Sequence, residues 1–229
     1  MMRMREALPV VLACLCAQGV EAGSVEFPFQ IGGAYSVPAT SMREARYLAM
    51  VRQQYDFSCG SAALSTLLTY HYGFPVTEQV VFEEMYAKGE QEKIRKEGFS
   101  LLDMKRYLEA HGFEADGFEA PLEKLAKAAI PAIVLISDHG YNHFVVVKGM
   151  RDQRILIGDP SGGTRAIAQK KFESMWVNGI LFVINDHRDI AKFNQNSDWH
   201  VAVQAPIGDG VNRDSAAYLV MPKFGAADF

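Results

Sequence analysis

No apolar run in the 229-residue chain reaches the ~20 residues needed to cross a bilayer, which excludes a multi-span membrane protein. A concentrated basic patch is also missing. Lys and Arg total 23 against 27 Asp and Glu, for a net charge of -4, so nothing offers the clustered cations that phosphate backbones require. There is no internal repeat, no low-complexity tract, no phosphate-binding glycine loop and no Gly-x-Ser-x-Gly elbow. What remains is 49% hydrophobic, 11% aromatic and 22% charged, the composition of a soluble globular protein. The length predicts one domain with appendages or two small domains.

Cysteine is scarce, and its placement is informative. Met1 to Glu6 is a short charged stretch followed by the apolar run Ala7 to Cys16 and by Val20-Glu21-Ala22, a small-x-small pattern before Gly23. That order predicts a secretory signal peptide over residues 1–22, and hence a periplasmic protein. Lipidation of Cys14 after Val11-Leu12-Ala13 is the alternative. Cleavage after Ala22 removes Cys14 and Cys16 and leaves Cys59 as a single thiol in a compartment where cysteines normally pair. It is then either an inert buried side chain or a reactive one.

Residues 23–45 read as an extended lead-in with room for one edge strand. From Ser58, the residues Ala63, Leu64, Leu67, Leu68 and His71 recur at helical spacing until Gly73, predicting a buried helix that begins at Cys59. Thr77 caps a helix to about Ala87, Lys88 to Gly98 reads as a solvated connection, and Ser100 with Asp103 caps a helix to Ala110. Pro121 opens a shorter helical piece. After Pro131 the period becomes that of strands: 132–136, 143–147, 154–157 and 180–184 are β-branched runs separated by turns. Helices first and strands after predict an α+β domain in two lobes with a cleft where they meet, over residues 46–186. Residues 187–229 form a C-terminal extension without a readable role.

At the start of its helix, Cys59 meets unpaired N–H groups and the positive end of the helix dipole, which lowers a thiol pKa. Small neighbours let a substrate backbone approach. A nucleophile needs a base. His71 is several turns away along the same helix, His111 precedes a helix-ending glycine, and His139 and His143 are separated by a turn, unsuited to a metal site. His143 opens an apolar strand, as a satisfied core residue or a positioned base. Asp159 ends the next strand, either as part of a plain turn or as the carboxylate that fixes the imidazole tautomer. Gln53, upstream of Cys59, is an oxyanion donor or an exposed side chain, with Gln54 equally available. No metal and no organic cofactor is expected.

Gln53-Gln54-Tyr55-Asp56-Phe57-Ser58-Cys59-Gly60-Ser61-Ala62-Ala63, then His143-Phe144-Val145-Val146-Val147, then Gly158-Asp159-Pro160 closely resemble the C39 peptidase family, the papain-like leader-cleaving domains of bacteriocin exporters. The resemblance runs over about residues 47–185 and implies a papain-like two-lobe fold. Residue by residue it implies Cys59 as nucleophile, His143 as base and acid, Asp159 as orienting member and Gln53 as oxyanion donor. It also implies cleavage after a Gly-Gly pair. The chain's own Gly32-Gly33 reads as a flexible turn rather than a self-cleavage site. Ser58 departs from the acidic residue that exporter domains carry before the cysteine, and there is no transmembrane or ATPase domain. The free-standing, exported form resembles the C39-like peptidases of Fap-type functional-amyloid systems. That resemblance implies an exported polypeptide, such as an amyloid subunit, as substrate and partner. The alternative function is a C39-like module that captures an exported polypeptide without cutting it.

Overall fold

A computed structural model describes residues 24–29, 33–38 and 40–201. The expected signal peptide 1–22, Cys14, Gly32 and residues 202–229 lie outside the described residues. Strands β1 (Ser24–Phe29) and β2 (Gly33–Pro38) pair antiparallel, with Phe29 opposite Gly33, so the lead-in holds two paired strands where one edge strand was expected. The hairpin belongs to a unit that ends at Ser41, and a second unit begins at Met42.

The second unit is α+β. A short helix α1 (Met42–Ala45) leads to α2 (Cys59–Thr66), whose last turn widens into a π-helical turn over Leu67–His71. Then come α3 (Glu78–Lys88), capped by Thr77, and α5 (Leu101–Ala110), whose Ser100 and Asp103 form a reciprocal capping box. Between them α4 (Gln91–Glu97) replaces the expected solvated connection. A single side chain, Ile94, is buried in it, too few to give a helical period. Strand β3 (Ala115–Glu119) and helix α6 (Leu122–Ala128) precede β4 (Ala132–Asp138), β5 (Tyr141–Arg151), β6 (Arg154–Asp159), β7 (Gly163–Ala168), α7 (Gln169–Met175) and β8 (Ile180–Ile184).

Six of these strands form one antiparallel sheet in the order β3-β8-β4-β5-β6-β7. Strands β4, β5, β6 and β8 carry apolar runs because both faces of the sheet are covered there. On β5, Phe144 and Val146 join Leu64, Leu67, Leu68, Met104 and Leu108 from the helices. The intervening Val145 and Val147 pack with Leu125, Phe172 and Met175 on the other side. Period-two alternation thus fastens the helical lobe to one face and α6 and α7 to the other.

Described residues beyond Asp186 are built into this unit. The Asn194 carboxamide accepts from the Met150 N–H at 2.8 Å and donates to the Met150 carbonyl at 3.0 Å. It fills the irregularity where β5 and β6 shift register between Val147 and Gly149. A Cβ on Gly149 would collide with Asn194 Oδ1, so only glycine admits this contact. Lys192 N–H donates to the His71 carbonyl at 2.9 Å, and the buried His71 ring meets the Lys192 carbonyl at 2.6 Å through Nδ1.

Burial, reinforced by the nearby Lys148 cation, lowers the His71 pKa from 6.5 to about 4. The native state therefore holds this imidazole neutral while the unfolded chain protonates it below about pH 6.5. Its contribution to stability is present above that pH and is lost as the pH falls toward about 4. The melting temperature is expected to drop between about pH 7 and about pH 5, and the drop is expected to shrink in His71→Asn, which keeps a donor near Nδ1 without titrating. An equal drop in both proteins would contradict this.

Candidate active site

Ser58 occupies the N-cap of α2 but makes no side-chain cap bond. The N–H groups of the first turn are therefore open to the Cys59 sulfur. Cys59 is 8% exposed and has no disulfide partner among the described residues. Burial pushes its thiol up, partly offset by N–H groups of Phe144, Gly60 and Cys59 itself; the Asp159 charge adds to the rise. The helix start does lower the thiol as expected, but desolvation outweighs it and the net direction is upward. The resting thiol is therefore neutral and needs a base to take its proton.

A candidate for that base stands on the adjoining strand. His143 is 5% exposed, and its Nε2–H donates to Asp159 Oδ2 at 3.2 Å. A carboxylate only accepts, so this bond fixes the proton on Nε2 and leaves Nδ1 as the basic nitrogen. Nδ1 is buried and has no hydrogen-bond partner among the described residues. The Phe144 N–H that reaches the Cys59 sulfur belongs to the next residue of the same strand. Cys59, His143 and Asp159 are thus brought together where α2 meets β5 and β6.

Asp159 is held on both oxygens. Oδ1 accepts from Ser161 N–H at 2.9 Å, Ser161 Oγ–H at 2.7 Å and Gly162 N–H at 3.2 Å. The turn reading and the orienting reading of Asp159-Pro160-Ser161-Gly162 therefore hold together. Oδ2 accepts from His143 and also from Arg165 Nη2 at 3.0 Å, and the same Nη2 donates to Asp138 Oδ2 at 3.1 Å. Burial raises the Asp159 carboxyl, but hydrogen bonds from His143 and Ser161 outweigh it and hold it far below the ordinary carboxylate range.

Gln53 is brought to the same place by its backbone, whose N–H donates to the Pro160 carbonyl at 3.1 Å. Its half-buried carboxamide donates to the Tyr55 carbonyl at 3.3 Å. One of its two N–H groups is engaged in its own loop and the second is left to point elsewhere. Gln54 is exposed, and its N–H donates to Glu78 Oε1 at 3.2 Å. Of the two glutamines, Gln53 is the one whose backbone is tied beside Asp159, through Pro160.

Two neighbours escaped the sequence reading. Arg165 lies on β7, opposite Ile157, in a strand with no apolar run to reveal it. Tyr141 stacks on His143 with ring centroids 5.6 Å apart and donates its O–H to the Asp56 carbonyl at 2.8 Å, linking the two sides of the site. Neither has a motif to announce it. Of the other histidines, His111 pairs with Glu84 at 3.0 Å and His139 with Asp138 at 2.8 Å. Among the described residues no group of three or more His, Cys, Asp or Glu side chains could hold a metal ion, and no helix is long and apolar enough to cross a membrane.

The model of the peptidase C39 family matches residues 48–188. A "probable functional amyloid protease FapD" of Pseudomonas aeruginosa is 41% identical over 165 residues, covering 72% of this chain and 73% of its own length. A protein of the same description from Pseudomonas fluorescens is 39% identical over 164 residues, covering 71% and 72%. The crystal structure of the peptidase domain of Streptococcus ComA superposes with a TM-score of 0.50 at 22% identity, over 60% of this chain and 98% of that domain, a likeness of fold.

Proposed function

Because the chain belongs to the peptidase C39 family and is a cysteine peptidase, we propose that it is exported and cuts a secreted polypeptide of a functional-amyloid system, after a Gly-Gly pair. Cys59 is the nucleophile, His143 the general base and then acid, Asp159 the group that orients His143, and Gln53 the oxyanion donor. The observation that carries this reading is the His143–Asp159 bond, which leaves a buried, unpartnered basic Nδ1 beside the strand whose next N–H reaches the thiol.

Nδ1 takes the thiol proton as the sulfur attacks the peptide carbonyl carbon. The resulting imidazolium is stabilised by Asp159. Negative charge gathers on the former carbonyl oxygen, where the Cys59 N–H and the second N–H of the Gln53 carboxamide stabilise it. As the carbon–nitrogen bond breaks, Nδ1–H gives its proton to the leaving amine, and a thioester to Cys59 remains. Water, deprotonated by the same nitrogen, hydrolyses the thioester and restores the thiol.

The amyloid context rests on the two FapD relatives, which cover similar shares of both chains. Export rests on the charged stretch, apolar run and Val20-Glu21-Ala22 of the N-terminus. The test is to express the full chain in a Gram-negative host, recover the periplasm, sequence the N-terminus and map cuts in a panel of peptides. A protein beginning at Gly23 that cuts after Gly-Gly supports the proposal. A cytoplasmic protein retaining Met1, or cuts at bulky residues alone, contradicts export or specificity respectively.

A further inference from the structure

The peptidase reaction makes no use of Glu78, yet this carboxylate is 3% exposed and no ion pair is formed by it among the described residues. An acidic first turn favours the α3 dipole, but an exposed acid would serve that purpose without the cost of burial. Its partners lie in the loop before Cys59. Oε1 accepts the Gln54 N–H at 3.2 Å and the Ser58 Oγ–H at 2.5 Å. Ser58 is itself fully buried, and its Oγ accepts from the Tyr55 N–H at 3.1 Å. The Ser58 hydroxyl has one proton and two acceptors, Tyr55 O at 2.9 Å and Glu78 Oε1 at 2.5 Å, and the carboxylate is the nearer. Glu78 Oε2 is buried without a hydrogen-bond partner among the described residues.

The peptide planes on both sides of Gln53 are therefore pinned. Its own N–H is tied to Pro160, beside Asp159, and the N–H of Gln54 is tied to Glu78. Ser58 joins the far end of the same loop to the same oxygen. We infer that Glu78 is a positioning residue, a buried carboxylate that clamps the Gln53–Ser58 loop so that the Gln53 carboxamide stays at the oxyanion position. This rests on Gln53 being the oxyanion donor of the proposed reaction.

The test compares wild type, Gln53→Ala, Glu78→Ala, Glu78→Gln and the Gln53→Ala/Glu78→Ala double variant, below their melting temperatures. The probe is N-acetyl-Gly-Gly p-nitrophenyl ester, and iodoacetamide alkylation of Cys59, which forms no oxyanion, is followed in parallel. Gln53→Ala is expected to lower kcat by about 100-fold. Glu78→Ala is expected to lower it by roughly 10- to 100-fold with KM and the alkylation rate nearly unchanged, the signature of a misplaced group. Glu78→Gln, which keeps an acceptor oxygen, is expected to restore most of the rate. The double variant is expected to be no slower than Gln53→Ala alone.

Losses that multiply in the double variant overturn the inference, and so does a Glu78→Ala protein that loses alkylation and hydrolysis together or keeps full kcat. A Gln53→Ala protein with wild-type kcat overturns the oxyanion assignment itself, and with it the role given to Glu78. If Glu78→Ala does not fold, Ser58→Ala cuts the same clamp from its other end and is expected to give the same non-additivity with Gln53→Ala. Additive losses there overturn the inference equally.

Discussion

Asp159→Asn is expected to lower kcat by about 10⁴-fold while leaving the fold intact. The Asp159 Oδ1 site receives three donors, from Ser161 N–H, Ser161 Oγ–H and Gly162 N–H, so an asparagine keeps its carbonyl oxygen there. Its NH₂ group then occupies the place of Oδ2, which in the wild type accepts from His143 Nε2 and Arg165 Nη2. Two donors would face a third. The imidazole escapes by shifting its proton to Nδ1, so that Nε2 accepts from the asparagine. The nitrogen needed to take the Cys59 proton is then already protonated, and burial keeps the thiol neutral. Steady-state kinetics with circular dichroism as a fold control tests this. An Asp159→Asn enzyme within about tenfold of wild type would show that the carboxylate does not set the tautomer.

The second large effect lies away from the chemistry. The Lys148 side chain has no solvent exposure, and its Nζ donates to Asp198 Oδ2 at 3.1 Å and to the Ala49 carbonyl at 2.9 Å. Burial pushes the lysine down and Asp198 pushes it back up. Asp198→Ala leaves the ammonium with a single carbonyl, and is expected to cost about 3–5 kcal/mol near neutral pH because one partner of a buried pair is removed. Lys148→Met/Asp198→Leu, which removes both charges, is expected to recover most of that loss.

The pH dependence of the single variant has a definite sign. In Asp198→Ala the folded-state lysine is depressed further below its unfolded value of 10.5, so the unfolded chain binds the extra proton. Stability is therefore expected to rise with pH from neutrality up to that value. Urea midpoints of the three proteins at two pH values measure both effects. An Asp198→Ala protein as stable as wild type would show that the pair is dispensable. Asp198 lies ten residues beyond the 48–188 family match, so this cost also measures how far the fold depends on residues C-terminal to that match.

The features legible in the sequence were those that burial writes as periodicity. Helix α2 and strands β4, β5, β6 and β8 announce themselves because their apolar residues face packed layers. The lone thiol at a helix start and a histidine on a fully apolar strand are unusual enough to be noticed one residue at a time. Strand β7 was not legible, because Gly163-Thr164-Arg165-Ala166-Ile167-Ala168 carries neither an apolar run nor a clear alternation. Arg165 was missed with it. The direction of the thiol shift was misread because the helix terminus is a local property, whereas desolvation comes from burial in the folded core. Glu78 has no motif to single it out, since only the folded loop brings Gln54 and Ser58 onto its oxygen. Residues 189–199 gave no signal because their long-range bonds run to the side chains of His71, Lys148 and Arg151 and to the backbone of His71, Lys148 and Met150, partners that sequence spacing does not reveal.

The central claim, that Cys59 cuts an exported polypeptide, is tested most directly with purified residues 23–229, wild type and Cys59→Ala. Each is mixed under reducing conditions with Gly-Gly peptides and with fibril-forming polypeptides exported by the same cell, and the products are read by mass spectrometry. Cleavage by the wild type alone is the predicted result. If neither protein cuts while both bind the same polypeptide equally tightly, the peptidase account fails and the chain is a module that captures its partner; cleavage undiminished in Cys59→Ala would contradict the account in a different way, by removing the nucleophile from it.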